Sequence, residues 1–195
     1  DRAVHTGIKE RLSVQWFNSN FGRPCCGGYA TTFADFFGRP LFGKHYAVFW
    51  SNTNAYYHEE HKGEDCLSSV PPEKISKEPY YPIVHCEAQV IPTIGVGKDK
   101  AIANIKAVVD NNEAVIFSFY LPVWSTFSNW WGSNNENAIF DMDQEDGVAW
   151  NSTTGGAHAV TIVGYDNSDP NPANHYWVVL NSWGTAGGLR PNGLF

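Results

Sequence analysis

The C-terminal half of the chain carries the clearest pattern of apolar positions. Two short runs, residues 159–163 and Tyr176–Leu180, are rich in β-branched side chains and predict two strands. The residues between them, 166–175, are rich in proline, asparagine and aspartate, which is typical of a hairpin loop. We therefore predict a hairpin that brings His158, at the start of the first strand, beside Asn181, at the end of the second.

Weaker patterns predict the remaining elements. Aromatic residues at helical spacing predict a helix over residues 26–37, and amphipathic spacing predicts another over 99–111. An apolar run over 114–121 predicts a buried strand. A short mixed run over 12–17 predicts a strand or extended arm. We expect a second aromatic-rich helix over 41–57, an irregular segment over 68–82 and a long loop over 124–149. The predicted order is helical first and strand-rich afterwards.

Composition limits the possible classes of protein. The chain has 195 residues, 43% hydrophobic and 17% charged, which predicts one globular domain of one or two lobes. A net charge of −7 without a basic cluster argues against a nucleic-acid partner. The longest apolar run, near Ala114, is too short for a membrane span. Four cysteines are compatible with an oxidising compartment, so we expect an extracytoplasmic or secreted protein.

The predicted pair of His158 and Asn181 has a specific chemical use. An asparagine amide oxygen can accept the imidazole N–H, which holds the ring in one tautomer and one orientation. The other ring nitrogen then remains available as a base. A lone histidine is more often a structural core residue, but the paired asparagine favours a catalytic interpretation.

The motifs around these two residues resemble a known family. Ala157-His-Ala-Val-Thr-Ile-Val-Gly-Tyr165, followed by Asn181-Ser-Trp-Gly-Thr185, resembles the histidine and asparagine boxes of papain-like cysteine peptidases. The resemblance implies that His158 is the general base, that Asn181 orients it and that Trp183 shields the pair from water. More local likenesses, around residues 78–86 and 100–120, are loose.

The same resemblance implies an α+β, papain-like two-lobe fold. Residues 1–195 would form a single catalytic domain, with a helical lobe over about 1–98 and a β-barrel-like lobe over about 99–195. The active-site cleft would lie between the lobes. In the family a further strand follows the position of Phe195, so we expect the C-terminus to be truncated, or the chain to be part of a longer polypeptide.

The position of the nucleophile is open. A cysteine peptidase needs a thiolate at a helix N-terminus, where the dipole and an imidazolium lower the thiol pKa. In one register Cys26 is the nucleophile, Tyr29 and Ala30 replace the Phe and the small residue of the family motif, and we expect the helix to bury Tyr29 and Phe33. In the other, Tyr29-Ala30 match the Trp-Ala of the family motif, and the nucleophile position falls on Gly28. Cys25 is a third, weaker candidate.

Disulfides and the oxyanion donor are open as well. The resemblance implies a bridge between Cys66 and Cys86, but a Cys25–Cys66 bridge also has a family counterpart and would favour the Gly28 register. Four cysteines allow three pairings, and the sequence does not choose among them. The family's oxyanion glutamine lies six residues before the nucleophile, where this chain has Asn20. Gln15 is the alternative if the loop contains an insertion.

These observations predict a cysteine endopeptidase that hydrolyses peptide or protein substrates through Cys26, His158 and Asn181. The alternatives are a catalytically silent papain-like binding or scaffold module and a transamidase with the same Cys-His chemistry. We expect no cofactor and no metal. The acidic residues over 141–146 depart from calcium-loop spacing, and the histidines at 58 and 61 have no clear third ligand.

Overall fold

Four helices and two antiparallel sheets make up the described part of the chain in this computed structural model. The structure describes residues 6–7, 9–21, 28–38, 45–58, 68–133, 137–184, 190 and 192–195. The chain divides into two units, Arg2–Val90 and Ile91–Phe195, each with its own hydrophobic core. This mixture of helix and antiparallel sheet agrees with the predicted α+β class. The larger described sheet has three strands.

The first unit contains two helices and a small sheet. Helix α1 spans Val14–Phe21 and helix α2 spans Ala30–Gly38. Strand β1, Tyr46–Val48, pairs antiparallel with strand β2, Tyr80–Pro82. The core is formed by apolar side chains from the helices, from β1 and from the segments that follow it: Trp16, Phe36, Phe37, Ala47, Val48, Ala55, Val70 and Ile75.

Helix α1 replaces the strand or extended arm predicted for residues 12–17 from Val14 onward, and the prediction was wrong for that part; Leu12 forms an antiparallel bridge with Phe49. Ser13 precedes the helix, and its hydroxyl oxygen accepts the backbone N–H of Trp16 at 2.9 Å. This is the N-cap arrangement, which satisfies one of the unpaired N–H groups at a helix start. The helix buries Gln15 and Trp16 completely. The cap and the buried tryptophan together outweigh the β-propensity of the short apolar run.

Two further predictions in this unit were wrong. Helix α2 begins at Ala30, because Gly28 and Tyr29 are not helical, whereas the sequence pattern predicted a start near Cys26. The helix predicted over 41–57 is absent from the described part of that range, where β1 and a series of turns follow one another. Pairing of β1 with β2, which lies more than thirty residues later, determines this outcome, and local spacing cannot reveal such a partner.

The second unit contains the hairpin. Its helices are α3, Lys98–Val109, and α4, Trp124–Trp131. Its strands are β3, Val115–Leu121, β4, Gly156–Asp166, and β5, Tyr176–Leu180, in the spatial order β3-β4-β5. Short 3-10 turns occur at Pro72–Lys74 in the first unit and at Met142–Glu145 and Pro172–Asn174 here.

The sequence patterns of this unit were mostly interpreted correctly. The helix over 99–111, the strand over 114–121 and the β4–β5 hairpin are confirmed. Backbone N–H groups of Ser168 and Asn171 donate to the carboxylates of Asp166 and Asp169, both at 2.7 Å, as expected of a hairpin loop rich in aspartate. The long loop predicted over 124–149 was wrong in part, because its first eight residues form α4.

Strand alternation determines which side chains reach the core. On β3, Val115, Phe119 and Leu121 are buried and Phe117 is half-buried, whereas the alternate residues 116, 118 and 120 are exposed. On β4, Val160 and Ile162 are buried, and they lie opposite Phe117 and Val115. His158 has the same parity as Val160 and pairs with Phe119, so its side chain lies on the core face. None of the described helices is long and apolar enough to cross a membrane.

Gly38, the last residue of α2, provides a test of the packing in the first unit. A Cβ at this position would overlap the backbone carbonyl oxygen of Cys86. Because a backbone atom must then shift, we expect Gly38→Ala to lower the free energy of unfolding by about 1–3 kcal/mol, measured by urea denaturation.

Gly132, at the end of α4, is the matched control. A Cβ there would lie 3.5 Å from the carbonyl oxygen of Ser128, an ordinary contact. Gly132→Ala should change the free energy of unfolding by less than about 0.5 kcal/mol. Equal effects of the two substitutions would contradict the close approach of α2 to Cys86.

Candidate active site

His158 and Asn181 form a direct hydrogen bond, with 2.8 Å between Nε2 of the imidazole and Oδ1 of the amide. His158 is the third residue of β4, and Asn181 follows the last residue of β5. Antiparallel pairing of these strands brings together two residues that are 23 positions apart in the chain. The predicted juxtaposition is present, and it is a direct product of the hairpin.

The surroundings of Asn181 identify which imidazole nitrogen carries the proton. The amide oxygen also accepts the backbone N–H of Ser182 at 2.8 Å. Because a backbone N–H can only donate, the atom that faces it must be the oxygen and not the amide nitrogen. The same oxygen faces Nε2 of His158, so Nε2 must donate its proton. The neutral ring therefore holds its acceptor lone pair on Nδ1.

The position of Asn181 is further held by the backbone. Its N–H donates to the carbonyl oxygen of Gly193 at 2.9 Å, and Val179 exchanges two hydrogen bonds with Phe195, at 2.7 and 2.8 Å. The side chain is 5% exposed. The last described residues of the chain thus pair with the free edge of β5 and restrict the asparagine that orients the histidine.

Four aromatic rings surround the imidazole of His158. Trp183 is nearest, with 4.7 Å between ring centroids and 34° between the planes. The rings of Phe119, Trp124 and Phe127 lie at 5.7–5.8 Å. Trp183 lies where the family resemblance implies a shield, although 41% of its surface is exposed. The other three rings cover further sides of the imidazole.

Sequence reasoning missed these three rings. Phe119 follows from the register, because it pairs with His158 across β3 and β4. Trp124 and Phe127 belong to α4, which was predicted to be a loop. The signal was available, since the apolar residues 124, 127, 130 and 131 have helical spacing. The many asparagines and glycines that follow them concealed the helix.

The two candidate oxyanion donors differ in their surroundings. Gln15 is 0% exposed, and its amide group is fully engaged within its own unit. Its Nε2 donates to the hydroxyls of Ser19 and Ser68 at 3.0 and 2.9 Å, and its Oε1 accepts the N–H of His58 at 3.0 Å. Asn20 is half-buried, and its Nδ2 donates to the carbonyl oxygen of Trp16 at 2.8 Å. These contacts give Gln15 a structural role and leave Asn20 as the more accessible amide.

Three of the four cysteines, Cys25, Cys26 and Cys66, lie outside the described residues. Cys86 is described, and it is a free thiol packed against the core of the first unit. Burial raises the pKa of this thiol. The Cys66–Cys86 bridge implied by the resemblance is therefore not formed in this structure, where the Cys86 side chain instead packs against apolar residues.

Gly28, the alternative nucleophile position, is exposed and lies two residues before the first helical residue of α2. A Cβ built at Gly28 would meet no atom within 4 Å. The backbone there would accept a side chain without displacement.

The acidic stretch over 141–146 has a structural explanation. Asp141 accepts the N–H of Asp143 at 2.9 Å, and Glu145 accepts the N–H of Val123 at 2.9 Å, just before α4. Among the residues that the structure describes, no group of three or more metal-ligating side chains converges.

The arrangement in the second unit can support one kind of chemistry. Nδ1 of His158 can take a proton from an acidic group such as a thiol, and the positive charge that forms on the ring would be stabilised by the oxygen of Asn181 and by the faces of the surrounding rings. The rings around the imidazole place the hydrogen bond in an apolar environment, which strengthens it.

Comparison with known proteins agrees with this geometry. Residues 134–194 match the model of the papain family cysteine proteases. The matched segment is less than a third of the chain, and it contains His158, Asn181 and Trp183. No curated protein and no solved structure matches the chain. This C-terminal segment, which carries the histidine–asparagine pair, is thus similar to the papain family of cysteine proteases.

Proposed function

We propose that the protein is a cysteine-type peptidase that hydrolyses peptide bonds in protein substrates. In this proposal the thiolate of Cys26 attacks the carbonyl carbon, and His158 accepts the thiol proton at Nδ1 and later delivers it to the leaving amine. Asn181 holds the ring, and Asn20, or Gln15 after rearrangement, stabilises the oxyanion. The observation that carries the proposal is the 2.8 Å bond from Nε2 of His158 to Asn181.

Two features of the second unit support a catalytic role for His158. Its tautomer leaves Nδ1 without a proton, which is the state a general base needs. The four rings around it exclude water from one side of the imidazole. A purely structural histidine in an apolar cluster would not require this combination.

The proposal includes the wider properties that the resemblance implies. The first unit would correspond to the helical lobe and the second to a β-barrel-like lobe of a papain-like fold. The protein would act outside the cytoplasm, as an extracytoplasmic or secreted enzyme. No cofactor takes part, because the thiol, imidazole and amide complete the reaction.

A second candidate function is a catalytically silent module of the same family that binds or scaffolds. The start of α2 at Ala30 favours it, because the residue two positions earlier is Gly28 and Tyr29-Ala30 match the family's Trp-Ala. In that register no thiol faces His158. The remaining papain-like features would then preserve a fold and a binding surface.

Mapping of the reactive cysteine separates the two functions. We expect iodoacetamide at neutral pH to modify Cys26 first, and Cys26→Ala to lower kcat/KM for peptide hydrolysis by about 10³-fold or more. Cys86→Ala is the control and should retain activity, since Cys86 is a half-buried thiol that packs against the core of the first unit. The peptidase hypothesis would be refuted if neither Cys25 nor Cys26 were labelled and the protein had no peptidase activity.

The silent module makes its own prediction at Gly28. If Gly28 occupies the nucleophile position, Gly28→Cys should create a thiol that iodoacetamide modifies rapidly, because space is available for the side chain. Gly28→Ala, with the same change in backbone freedom but no thiol, is the matched control. Under the Cys26 register the new thiol should react no faster than an ordinary exposed cysteine.

The pH dependence of alkylation tests whether the Cys26 thiol lies in contact with the His158 imidazole. Nearby imidazolium lowers the pKa of the Cys26 thiol, so its alkylation should remain fast well below the reference value of about 8.5. His158→Ala should move the curve up toward that of an ordinary thiol, and Asn181→Ala should move it less. Cys86 will not interfere near neutral pH, because its raised pKa keeps it protonated there. An unchanged curve for His158→Ala would contradict the contact.

A further inference from the structure

Trp124, the first residue of α4, is in direct ring contact with His158. Its ring lies edge-on to the imidazole, with centroids 5.7 Å apart and 72° between the planes. It also contacts Trp183 at 6.0 Å and Phe127 at 5.5 Å. Trp124 therefore joins the imidazole to the rest of the aromatic cluster.

Gly156 provides the space that this contact needs. It lies two residues before His158 on β4, and a Cβ at this position would be only 2.7–2.8 Å from three ring atoms of Trp124. One of these atoms is Cγ, where the ring joins its stem, so a small rotation of the side chain cannot relieve the overlap. The close approach of the strand to the ring thus depends on a residue without a side chain.

The backbone of Trp124 is held on both sides. Its N–H donates to the carbonyl oxygen of Thr154 at 2.8 Å, and the hydroxyl of Thr154 donates to the carbonyl oxygen of Pro122 at 2.9 Å. The preceding N–H, of Val123, donates to the carboxylate of Glu145 at 2.9 Å. The start of α4 is therefore tied to the segment that leads directly into Gly156 and His158.

We propose that Trp124, seated on Gly156, is a positioning residue that keeps the His158 imidazole in the orientation and tautomer required for its bond to Asn181. The Trp124 ring contacts the imidazole at a different angle from Trp183, and we expect the two rings together to limit its rotation. A catalytic consequence of this positioning rests on the proposed peptidase function. The positioning itself is a property of the second unit, independent of whether a thiol is present.

Nitrogen-15 NMR of the His158 side chain tests the positioning without any need for activity. In the native protein we expect a single tautomer with the proton on Nε2, protected from exchange with water. Trp124→Leu should increase the exchange rate of that proton by about tenfold and mix the two tautomers. Trp124→Phe, which keeps a ring, should preserve most of the protection.

Trp150 supplies the matched control. It packs against Gly155 as Trp124 packs against Gly156, but its ring contact is with Tyr120, on the face of the sheet opposite His158. Trp150→Leu should leave the signals of His158 unchanged. Gly156→Ala should disturb them, and adding Trp124→Leu to Gly156→Ala should restore thermal stability without restoring the single tautomer.

Kinetics then separate this inference from the proposed function. If the protein is a peptidase, Trp124→Leu should lower kcat by about 10-fold to 100-fold with little change in KM, and Trp124→Phe should recover most of the loss. If the native protein is inactive, the peptidase fails while the NMR result still decides the positioning. An unaltered tautomer and exchange rate in folded Trp124→Leu, with only a lower melting temperature, would overturn the inference.

Discussion

Packing of aromatic rings around Phe127 is the interaction on which the second unit depends. Phe127 is completely buried in the middle of α4, and rings from α4, from β3 and β4 and from the end of the chain lie within 6.5 Å of its centroid. Aromatic side chains bury large apolar areas and prefer tilted or edge-on contacts, so such a cluster is both stabilising and directional. It attaches α4 to the sheet at the position of His158.

This arrangement places a polar pair within an otherwise apolar cluster. The 2.8 Å bond pairs Nε2 of the imidazole with Oδ1 of the amide, which lowers the cost of burying these two polar atoms. The amide nitrogen of Asn181 is buried without a hydrogen-bond partner among the described residues. The backbone N–H of Ser182 then determines the orientation of the amide, and hence the tautomer of the ring. The backbone N–H of Ser182 thus acts on the imidazole through Asn181, and it leaves the acceptor lone pair of the neutral ring on Nδ1.

The two units differ in how directly they support catalysis. The second unit contains the hydrogen-bonded pair of His158 and Asn181, and it contains the segment that matches the papain family. In the first unit, α2 begins at Ala30 and Gly28 is exposed, whereas Cys25 and Cys26 lie outside the described residues. The likeness to the papain family therefore includes the histidine–asparagine pair and does not extend to the candidate nucleophile positions.

The sequence alone determined the features that depend on neighbours in the chain. β-Branched runs and a loop rich in aspartate and asparagine were enough to predict β4, β5 and the pairing of His158 with Asn181, because a hairpin is local. The helix at Lys98–Val109 followed in the same way from its amphipathic spacing. The contact between His158 and Asn181 could thus be predicted from residue order.

Tertiary structure decided what depends on distant partners. The segment around β1 forms a strand because β2 pairs with it. Residues 14–17 are helical because Trp16 packs in the core and the Ser13 hydroxyl accepts the backbone N–H of Trp16. Trp124 could be connected with His158 only after α4 was placed on the sheet and Gly156 left space for the ring. Burial and close approach are properties of residues far apart in sequence, and local propensity carries no information about them.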